Sequence, residues 1–438
     1  METIATDIVR TLQNAGYEAL FAGGCVRDRL LGNDPKDYDI ATSATPDEIL
    51  KHFPKAGTVG AHVGVVLVKK GGHHFEIATF REDGEYADGR RPESVVFSDA
   101  ENDARRRDFT INGMFHDPVA DKTIDYVGGQ SDLKAGLIRC IGTPEDRFRE
   151  DYLRLLRAVR FATRFGFEIE ETTWTAICQT GENIRHISPE RIREELDRIW
   201  VDPNRVRGFD LLVDSGLMEH LLPEILQLKG CEQPPQWHPE GDVFVHTRLM
   251  LSHLPDDASL PLVLSVLFHD IAKPATFSYD PDEDRIRFNG HDKVGAEMTR
   301  VILRRFRYSN AIIDTVSEAV ENHMKFKDVQ KMRASTLKRF MARDSFDDQL
   351  ALHRVDCLGS NGNLGNHDYV IAKQEEFAAE PLVPPPFLSG RDLIERGLKP
   401  GPHFKEILRT AQDLQLEREH TSREQALAWL EDELDSRE

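Results

Sequence analysis

The spacing of apolar residues predicts that the chain opens with both helical and extended structure. Ile4, Ile8 and Leu12 recur every four residues and predict a helix that ends near Gly16. The apolar run 19–22 that follows is typical of a buried strand. The first two elements are therefore predicted to be a helix and a strand.

Further signals in the first 140 residues indicate the same mixture. Thr45, Pro46 and Glu48 have the types and spacing of a helix N-terminus with a capping box. The β-rich runs 63–69 and 75–80 lie on either side of a Gly-Gly turn and predict a hairpin. This part of the chain is expected to combine helices with strands.

From about residue 144 the apolar period becomes 3.6 and strand signals disappear, so the remainder is predicted to be helical. Tyr152, Leu155, Val159 and Ala162 form an apolar stripe along one predicted helix. The charged residues of this segment fall on the broad opposite face, namely Glu150, Asp151, Arg154, Arg157, Arg160 and Arg164.

The composition is that of a water-soluble protein of roughly three domains. Of the 438 residues, 39% are hydrophobic and 30% are charged, and no apolar run approaches the roughly 20 residues of a membrane helix. The first residues lack the features of a secretory signal, and the five cysteines include no CxxC pair. We therefore expect a cytoplasmic protein without disulfides, thiolate zinc sites or a membrane partner.

The charge distribution qualifies this picture. A net charge of −20 disfavours a polyanionic partner if it is spread evenly. Arginine is concentrated, however, at residues 105–107 and within residues 147–164. A surface for a nucleotide or a nucleic acid is expected at these two segments.

Glycine and aspartate residues between positions 23 and 39 predict a phosphate and metal site. Gly23 and Gly24 lie between a predicted strand and a helix, where backbone N–H groups can approach a phosphate. Asp37 and Asp39 are one residue apart in an extended segment, so their carboxylates face one side and can hold hard cations. For each feature taken alone there is an ordinary alternative: a simple turn for the two glycines, and a solvated acidic loop for the two aspartates.

Five motifs in a fixed order resemble a known family. Segment 21–42 is similar to the signature of the nucleotidyltransferase superfamily, specifically the bacterial class II CCA-adding tRNA nucleotidyltransferases and their poly(A) polymerase relatives. The later motifs of that family are resembled by residues 106–112, 125–139, 150–154 and 190–196. The resemblance covers nearly the first 200 residues.

The resemblance implies a reaction and a set of site residues. The 3′-hydroxyl of tRNA would attack the α-phosphate of CTP or ATP, and pyrophosphate would leave. Asp37 and Asp39 would be catalytic and would bind Mg²⁺, while Glu76 could be a third carboxylate or a salt-bridged surface residue. The implied nucleotide-binding residues are Gly23, Gly24, Arg27, Arg106, Arg107, Asp151, Arg154, Arg157 and Arg160.

Asp151 and Arg154 have the chemistry to select the base. Three residues apart, they are predicted to be neighbours on one helix face, where such a pair is otherwise a weak surface ion pair. Cytosine and adenine present an amino donor beside a ring-nitrogen acceptor, whereas uracil and guanine present a carbonyl beside an N–H. A carboxylate accepts and a guanidinium donates, so the pair matches C and A.

Segment 81–92 is polar and contains two glycines. It resembles the flexible loop that CCA-adding and A-adding enzymes have and CC-adding enzymes lack. The resemblance implies that adenine addition is retained, and an ordinary long hairpin loop is the alternative.

A second group of candidate ligands lies in the distal part of the chain. Imidazoles and carboxylates occur there in an order that resembles the HD phosphohydrolase superfamily, and the segment 238–247 is similar to HD-bearing tRNA nucleotidyltransferases. The types suit a borderline divalent metal of unknown identity. The candidate ligands are His246, His269, Asp270, His291, His323 and Asp356. A fold without chemistry that helps to seat tRNA is the alternative.

Together these observations predict an α+β protein whose nucleotidyltransferase head, with a small mixed β-sheet, is followed by all-α neck, body, HD and tail segments. Pro-rich segments at 233–236 and 381–387 are the predicted linkers. The expected domains are a head (1–140), a neck and body (141–235), an HD domain (236–375) and a tail (376–438).

The predicted function is addition of C and A to tRNA 3′ ends, with a possible HD phosphohydrolase activity and no obligate protein partner. The alternative within the family is a poly(A) polymerase or an A-adding enzyme. The alternative from another class is an HD phosphohydrolase whose head only binds nucleotides.

Overall fold

The computed structural model of the protein describes residues 1–57, 64–83 and 95–436. They form two compact units, Met1–Leu226 and Gln227–Glu438. The first unit contains helices and a sheet, and the second is almost entirely helical. The expected α+β class with a small mixed sheet is therefore confirmed, while the finer boundaries near residues 140, 235 and 375 stay predictions.

A six-stranded sheet forms the centre of the first unit, with the strand order β3-β4-β2-β1-β7-β8. It is mixed, because β2 pairs with β4 in parallel and the other neighbours pair antiparallel. β5 with β6, and β9 with β10, form separate two-stranded pairs. The strands are β1 (Ala19–Ala22), β2 (Ile40–Thr42), β3 (Val65–Lys70), β4 (His73–Thr79), β5 (Arg81–Asp83), β6 (Val95–Phe97), β7 (Met114–Asp117), β8 (Lys122–Asp125), β9 (Leu137–Ile138) and β10 (Glu168–Ile169).

The first helices of this unit alternate with the strands of the sheet along the chain, whereas the later helices follow one another. Short 3-10 segments occupy Thr110–Asn112 and Gly181–His186. The α-helices are α1 (Glu2–Asn14), α2 (Gly24–Leu30), α3 (Pro46–His52), α4 (Ala100–Arg105), α5 (Gly129–Ala135), α6 (Pro144–Glu150), α7 (Leu153–Phe165), α8 (Glu171–Thr180), α9 (Pro189–Trp200), α10 (Arg205–Asp214), α11 (Leu217–Leu221) and α12 (Pro223–Leu226).

Burial explains why the early elements form as predicted. α1 buries Ile8 and Leu12, and the capping box at the start of α3 is present, with the Thr45 amide donating to Glu48 Oε2 at 2.8 Å. All four residues of β1 are buried, and β1 lies between β2 and β7 in the sheet. Since β1 is fixed in the core, the glycine turn that follows it also has a fixed position.

The second unit is built from helices and one short hairpin. A 3-10 segment spans His323–Lys331, and no helix among the described residues has both the length and the apolar character that a membrane crossing requires. The elements are α13 (Val243–His253), α14 (Leu260–Phe268), α15 (Lys273–Thr276), β11 (Ser278–Asp280), β12 (Arg285–Arg287), α16 (His291–Arg305), α17 (Asn310–Asn322), α18 (Ala334–Met341), α19 (Phe346–Leu358), α20 (Gly365–Phe377), α21 (Gly390–Glu395), α22 (Pro402–Leu416) and α23 (Arg423–Asp435).

The prediction that strands are absent after residue 144 is wrong in detail. β10 has two residues, and β11 and β12 have three each. No residue of β11 or β12 is fully buried, and each strand has one apolar residue, Tyr279 and Ile286, which pair with one another. Strands of two or three residues are too short for an alternating pattern to be recognised in the sequence.

Candidate functional site

All eleven site residues predicted in the first 200 positions line one cavity of about 530 Å³ in the first unit. Its lining carries nine cationic and five anionic side chains, so it has a positive excess in an acidic chain. The eleven predicted residues are Gly23, Gly24, Arg27, Asp37, Asp39, Arg106, Arg107, Asp151, Arg154, Arg157 and Arg160. This convergence supports a shared site, and the role of each residue stays a prediction.

The glycine turn brings the backbone between β1 and α2 close to an arginine. Gly23 has a φ of +69°, and a Cβ at this position would lie 2.9 Å from Arg107 Nη1. The Gly23 amide donates to Met114 O in β7 at 3.2 Å, which fixes the turn against the sheet. A side chain at position 23 would therefore meet both backbone strain and a steric clash.

Arg27 is held rigidly at the wall of the cavity. Its Nε and Nη2 donate to Asp28 Oδ1 at 2.9 and 2.7 Å, and its Nη1 donates to Asn112 Oδ1. The guanidinium carbon lies 4.7 Å from the centre of the Phe165 ring. Burial lowers the pKa of Arg27, and the charge of Asp28 opposes that shift.

Asp37 and Asp39 precede β2 and lie at the cavity. The parallel register pairs Ile40 with Ile77, so Asp39 lies beside Glu76 of β4. Partial loss of water at the cavity raises the pKa of Asp39 to about 6, although the residue stays accessible to solvent, and the charges of Asp37 and Glu76 raise it further while Arg107 lowers it. Several carboxylates thus repel one another at a place where a cation would relieve the repulsion, although Glu76 does not line the cavity.

Arg106 and Arg107, which follow α4, share one buried carboxylate. Arg106 Nη2 lies 2.6 Å from Asp103 Oδ1, and Arg107 Nη2 lies 2.9 Å from Asp103 Oδ2. Asp103 is only 1% exposed, and both arginines stay partly accessible in the cavity. The carboxylate therefore orients two guanidinium groups toward the same space.

The prediction that Asp151 and Arg154 are neighbours on one helix face is wrong. Asp151 has an extended backbone between α6 and α7, and its Oδ1 accepts the Leu153 amide at 3.0 Å. An aspartate that bonds to the backbone two residues ahead interrupts the helix. The segment is therefore a helix end followed by a new helix start.

The two residues also have different partners. Asp151 Oδ2 lies 2.6 Å from Arg191 Nη2 of α9, and Arg154 Nη1 lies 2.5 Å from Glu150 Oε2. Arg154 Nη1 additionally donates to Arg147 O at 2.9 Å. Both side chains nonetheless line the same cavity, so one bound molecule could contact both of them.

Arg157 and Arg160 of α7 are held by carboxylates from distant positions. Arg157 Nη2 lies 2.6 Å from Asp108 Oδ2, and Arg160 Nε donates to Glu195 Oε2 at 2.5 Å. Burial would raise the pKa of Asp108, but Arg157 and a hydrogen bond from Asn112 lower it to about 2. Both guanidinium groups therefore keep fixed positions beside the cavity.

Sequence reasoning did not assign roles to several residues that hold this arrangement together. Asp108 and Asn112 belong to the motif at 106–112, and Arg191 belongs to the motif at 190–196. Motif membership was the available signal, but it does not say which side chains face the cavity. The segment 81–92 lies mostly outside the described residues, so the prediction of a flexible loop stays a prediction.

The second unit brings together all six residues predicted as ligands of the distal metal site. His246, His269 and Asp356 form one group of three, and the remaining residues Asp270, His291 and His323 form another. Within each group the ligand atoms lie within 4.8 Å of one another. A cavity of about 380 Å³ adjoins five of the six, all except His246.

The ring nitrogens of three of the four histidines are ordered in the same way. Nδ1 of His269, His291 and His323 lies 2.9, 2.7 and 2.6 Å from a backbone carbonyl oxygen, so each Nδ1 donates its proton. In a neutral ring the Nε2 lone pair is then free. Nε2 of His291 and Nε2 of His323 lie only 3.1 Å apart, where a divalent ion would relieve the repulsion between lone pairs.

This donor set fits a divalent metal centre. Imidazole nitrogen and carboxylate oxygen suit borderline ions such as Zn, Mn, Fe, Co or Ni. The Asp270 carboxylate lies 3.1 Å from His269 Nε2 and 3.5 Å from His291 Nε2, so it connects the two groups.

Three family models match successive parts of the chain. The model described as Poly A polymerase head domain matches residues 19–139, and the probable RNA and SrmB-binding site of polymerase A matches residues 166–228. The HD domain matches residues 243–347. The head-domain match precedes the HD-domain match along the chain, as the residues of the first cavity precede those of the second.

Curated relatives extend this likeness over nearly the whole chain. A CCA-adding enzyme of Lactobacillus helveticus is 32% identical over 414 residues, which cover 94% of this chain and 92% of the relative. An A-adding tRNA nucleotidyltransferase of Deinococcus radiodurans is 35% identical over 409 residues, 89% of this chain and 90% of the relative. With the CCA-adding enzyme of Geobacillus kaustophilus, identity is 45% over 218 residues, 50% of this chain, so the chain spans about half (54%) of that relative's length.

A solved structure agrees with these matches. The crystal structure of the Bacillus stearothermophilus CCA-adding enzyme in complex with CTP is 26% identical, with a TM-score of 0.78 over 99% of this chain and 97% of that one. Because it is 32% and 35% identical to these curated relatives over nearly its full length, this chain belongs to the family of tRNA nucleotidyltransferases that contains CCA-adding and A-adding enzymes.

Proposed function

We propose that this protein adds C and A to the 3′ end of tRNA from CTP and ATP without a nucleic-acid template. The observation that carries the proposal is the convergence of eleven predicted residues on one cavity of the first unit. Carboxylates and an excess of arginines meet there, as expected for a site that takes a nucleoside triphosphate. Since its substrate is tRNA, we expect the enzyme to act in the cytoplasm.

The triphosphate is proposed to lie against the glycine turn and the arginines. Gly23 and Gly24 leave room for a phosphate at the backbone, and Arg27 presents an oriented guanidinium beside them. Arg106 and Arg107 are oriented toward the same space by Asp103. Because these groups already have fixed positions, little reorganisation is needed to stabilise the charge that develops on the phosphates.

Asp37 and Asp39 are proposed to hold Mg²⁺. When bound, Mg²⁺ activates an attacking hydroxyl and offsets charge on the leaving phosphate. The contribution of the chain is to keep the two carboxylates at the cavity, where Glu76 and Asp37 add negative charge beside Asp39. We expect the 3′-hydroxyl of the tRNA to be oriented beside these carboxylates.

Asp151 and Arg154 are proposed to select the base. Arg191 and Glu150 hold them apart on separate ion pairs, so each group presents its polar edge from its own support. A carboxylate that accepts and a guanidinium that donates can match cytosine or adenine, and uracil or guanine would leave buried polar groups unpaired. Discrimination of this kind needs no template strand.

The second unit is proposed to hold a divalent metal ion that supports hydrolysis of a phosphate ester. The support is the two groups of three ligands with converging Nε2 atoms. The six residues His246, His269, Asp270, His291, His323 and Asp356 would hold this ion. A bound metal would polarise a phosphoryl oxygen and lower the pKa of a water molecule.

An enzyme that adds only the terminal A is the second candidate. One observation favours it: the A-adding relative of Deinococcus radiodurans is 35% identical over 409 residues, slightly more than the CCA-adding relative over a similar length. The two candidates share the same cavity chemistry. They differ in whether CTP is used.

A tRNA extension assay separates these possibilities. Each reaction contains the purified protein, CTP and ATP, of which one is labelled, and a tRNA that ends either before CCA or after CC. We expect incorporation of both nucleotides into the first substrate and of ATP into the second, and loss of both in Asp37→Ala/Asp39→Ala. Incorporation of ATP alone, with only the CC-ended tRNA extended, would identify an A-adding enzyme, and activity in the double variant would contradict the proposed site.

A further inference from the structure

The metal ligands of the second unit differ in what holds their outer nitrogen. Three of the histidines donate Nδ1–H to backbone carbonyls. The fourth, His246, has Nδ1 2.7 Å from Glu240 Oε1 and 3.2 Å from Gly359 O. His246 is therefore distinguished by a side-chain carboxylate at its outer nitrogen.

The chemistry of these neighbours places a proton on Nδ1 of His246. A carboxylate and a carbonyl can only accept hydrogen bonds, so Nδ1 must carry the proton. Nε2 faces Asp356, whose Oδ1 lies 3.1 Å away within the first ligand group and accepts a proton in the same way, so a metal that binds Nε2 would take the place of that proton. A carboxylate behind a ligating imidazole both orients the ring and strengthens it as a ligand.

Glu240 is itself held in place. Its side chain is 7% exposed, and Oε1 also accepts a hydrogen bond from His238 Nδ1 at 2.9 Å. Among the described residues, Oε2 has no hydrogen-bond partner. The two imidazoles are thus the side-chain donors to this buried carboxylate, and Glu240 cannot turn away without leaving a charge unpaired.

The segment that carries Glu240 is anchored on both sides. Asp242 caps α13 by accepting the Val245 amide at 2.9 Å, and its Oδ2 accepts the Gly230 amide at 2.7 Å. The Val243 amide donates to Cys231 O at 3.1 Å. Glu240 therefore reaches His246 from a segment with a defined path.

We propose that Glu240 is a positioning residue of the distal metal centre, which holds His246 through Nδ1 so that Nε2 can bind the metal. The inference rests on the proposed metal centre. It predicts that Glu240 affects metal affinity without touching the metal, as outer-shell partners of ligating histidines do.

Metal titration of the full-length chain tests this role. All variants carry Asp37→Ala and Asp39→Ala, so that the proposed Mg²⁺ site of the first unit does not contribute. Co²⁺ is the probe, because its visible absorption reports the coordination directly. The dissociation constant of Co²⁺ is compared for the parent, Glu240→Ala, Glu240→Gln and Glu232→Gln, where Glu232 is an exposed carboxylate of the same segment and serves as the matched control.

We expect Glu240→Ala to weaken Co²⁺ binding by roughly 10- to 100-fold and to change the visible spectrum. Glu240→Gln keeps an acceptor but not the charge, so a smaller loss is expected, and Glu232→Gln should bind like the parent. Thermal unfolding of the metal-free proteins shows whether each variant is folded. If Glu240→Ala does not fold, the decision rests on the isosteric Glu240→Gln variant.

Failure of the proposed metal centre and failure of the proposed role of Glu240 would give different results. His269→Ala removes a proposed ligand, and retained Co²⁺ binding in that variant would overturn the metal centre itself. If His269→Ala loses binding whereas the folded Glu240 variants bind Co²⁺ with parental affinity and spectrum, the centre stands and the positioning role of Glu240 is wrong.

Discussion

The Asp151 carboxylate and the Arg154 guanidinium each have an oppositely charged partner within the chain. Arg191 lies 2.6 Å from the first, and Glu150 lies 2.5 Å from the second. A base that binds to these groups must share or replace those partners. In the proposed selection, a wrong base would therefore break hydrogen bonds of these ion pairs without replacing them, and this would add to selectivity.

Replacement of either group should relax the choice of nucleotide. For Asp151→Asn and Arg154→Ala we expect the ratio of kcat/KM for CTP over UTP to fall roughly tenfold to a hundredfold, since one buried hydrogen bond is worth about 1–3 kcal/mol when its partner is left unpaired. Extension of tRNA with single nucleotides measures this ratio. Arg149→Ala is the control, because Arg149 is 70% exposed. Unchanged selectivity in both variants would refute the role of the pair.

The buried Asp108 should make the first unit sensitive to acid. Its pKa is about 2 in the folded chain, below the ordinary 3.8, so its contribution is complete above about pH 4 and is lost as the pH falls toward 2. The shift corresponds to about 2 kcal/mol. Asp108→Asn should lower stability near neutral pH and flatten the stability profile between pH 4 and 2.

Chemical denaturation at several pH values, followed by tryptophan fluorescence, checks this. The exposed Asp34→Asn variant is the control and should keep the parental profile. An Asp108→Asn profile parallel to that of the parent would show that this carboxylate does not carry the acid sensitivity.

At the scale of elements, the turn between β1 and α2 combines a positive φ with a close contact. Gly23 has a φ of +69° and lies against Arg107, whereas Gly16, which follows α1, has a φ of +93° and open space around its missing Cβ. Substitution of either glycine would therefore strain the backbone, and only a side chain at position 23 would also clash with a neighbouring residue. They form a matched pair for a test.

Gly23→Ala and Gly16→Ala should each lose about 1–2 kcal/mol of stability from the left-handed backbone. Only Gly23→Ala should also displace Arg107, so we expect it alone to raise the KM for CTP and ATP. Thermal unfolding and nucleotide titration of the extension reaction measure the two effects. An equal KM in both variants would show that the Gly23–Arg107 contact does not shape the nucleotide site.

Elements that bury an apolar face were predictable from the sequence, and others were not. α1 and β1 follow directly from the period of their apolar residues, and the start of α3 follows from Thr45 and Glu48. The break between α6 and α7 depends on one hydrogen bond from the Leu153 amide to Asp151. The apolar period continues across such a break, so the sequence pattern alone favoured one helix.

At the scale of the whole molecule, each unit contains a complete candidate site. The proposed nucleotide cavity is lined by residues of Met1–Leu226, and the candidate distal ligands all belong to Gln227–Glu438. The residue types and their order along the chain were enough to predict both groups. The partners that hold them, such as Asp108 for Arg157 and Glu195 for Arg160, are 49 and 35 residues away, and only the folded chain reveals these pairs.

Because the two candidate sites have no residue in common, we predict that their activities can be removed independently. His269→Ala/His323→Ala should abolish metal binding in the second unit and leave incorporation of CTP and ATP unchanged, because sites without shared partners act additively. Metal titration and tRNA extension on the same preparation test this. A fall in extension with intact folding would mean that the distal metal centre supports nucleotide addition.

The positive excess of the nucleotide cavity stands within a chain of net charge −20. The residues outside that cavity therefore have a combined net charge more negative than −20, and they repel phosphates. For the proposed addition of nucleotides to tRNA, such a charge pattern would disfavour retention of the finished tRNA through contacts with these acidic residues. It would thus favour product release and repeated turnover.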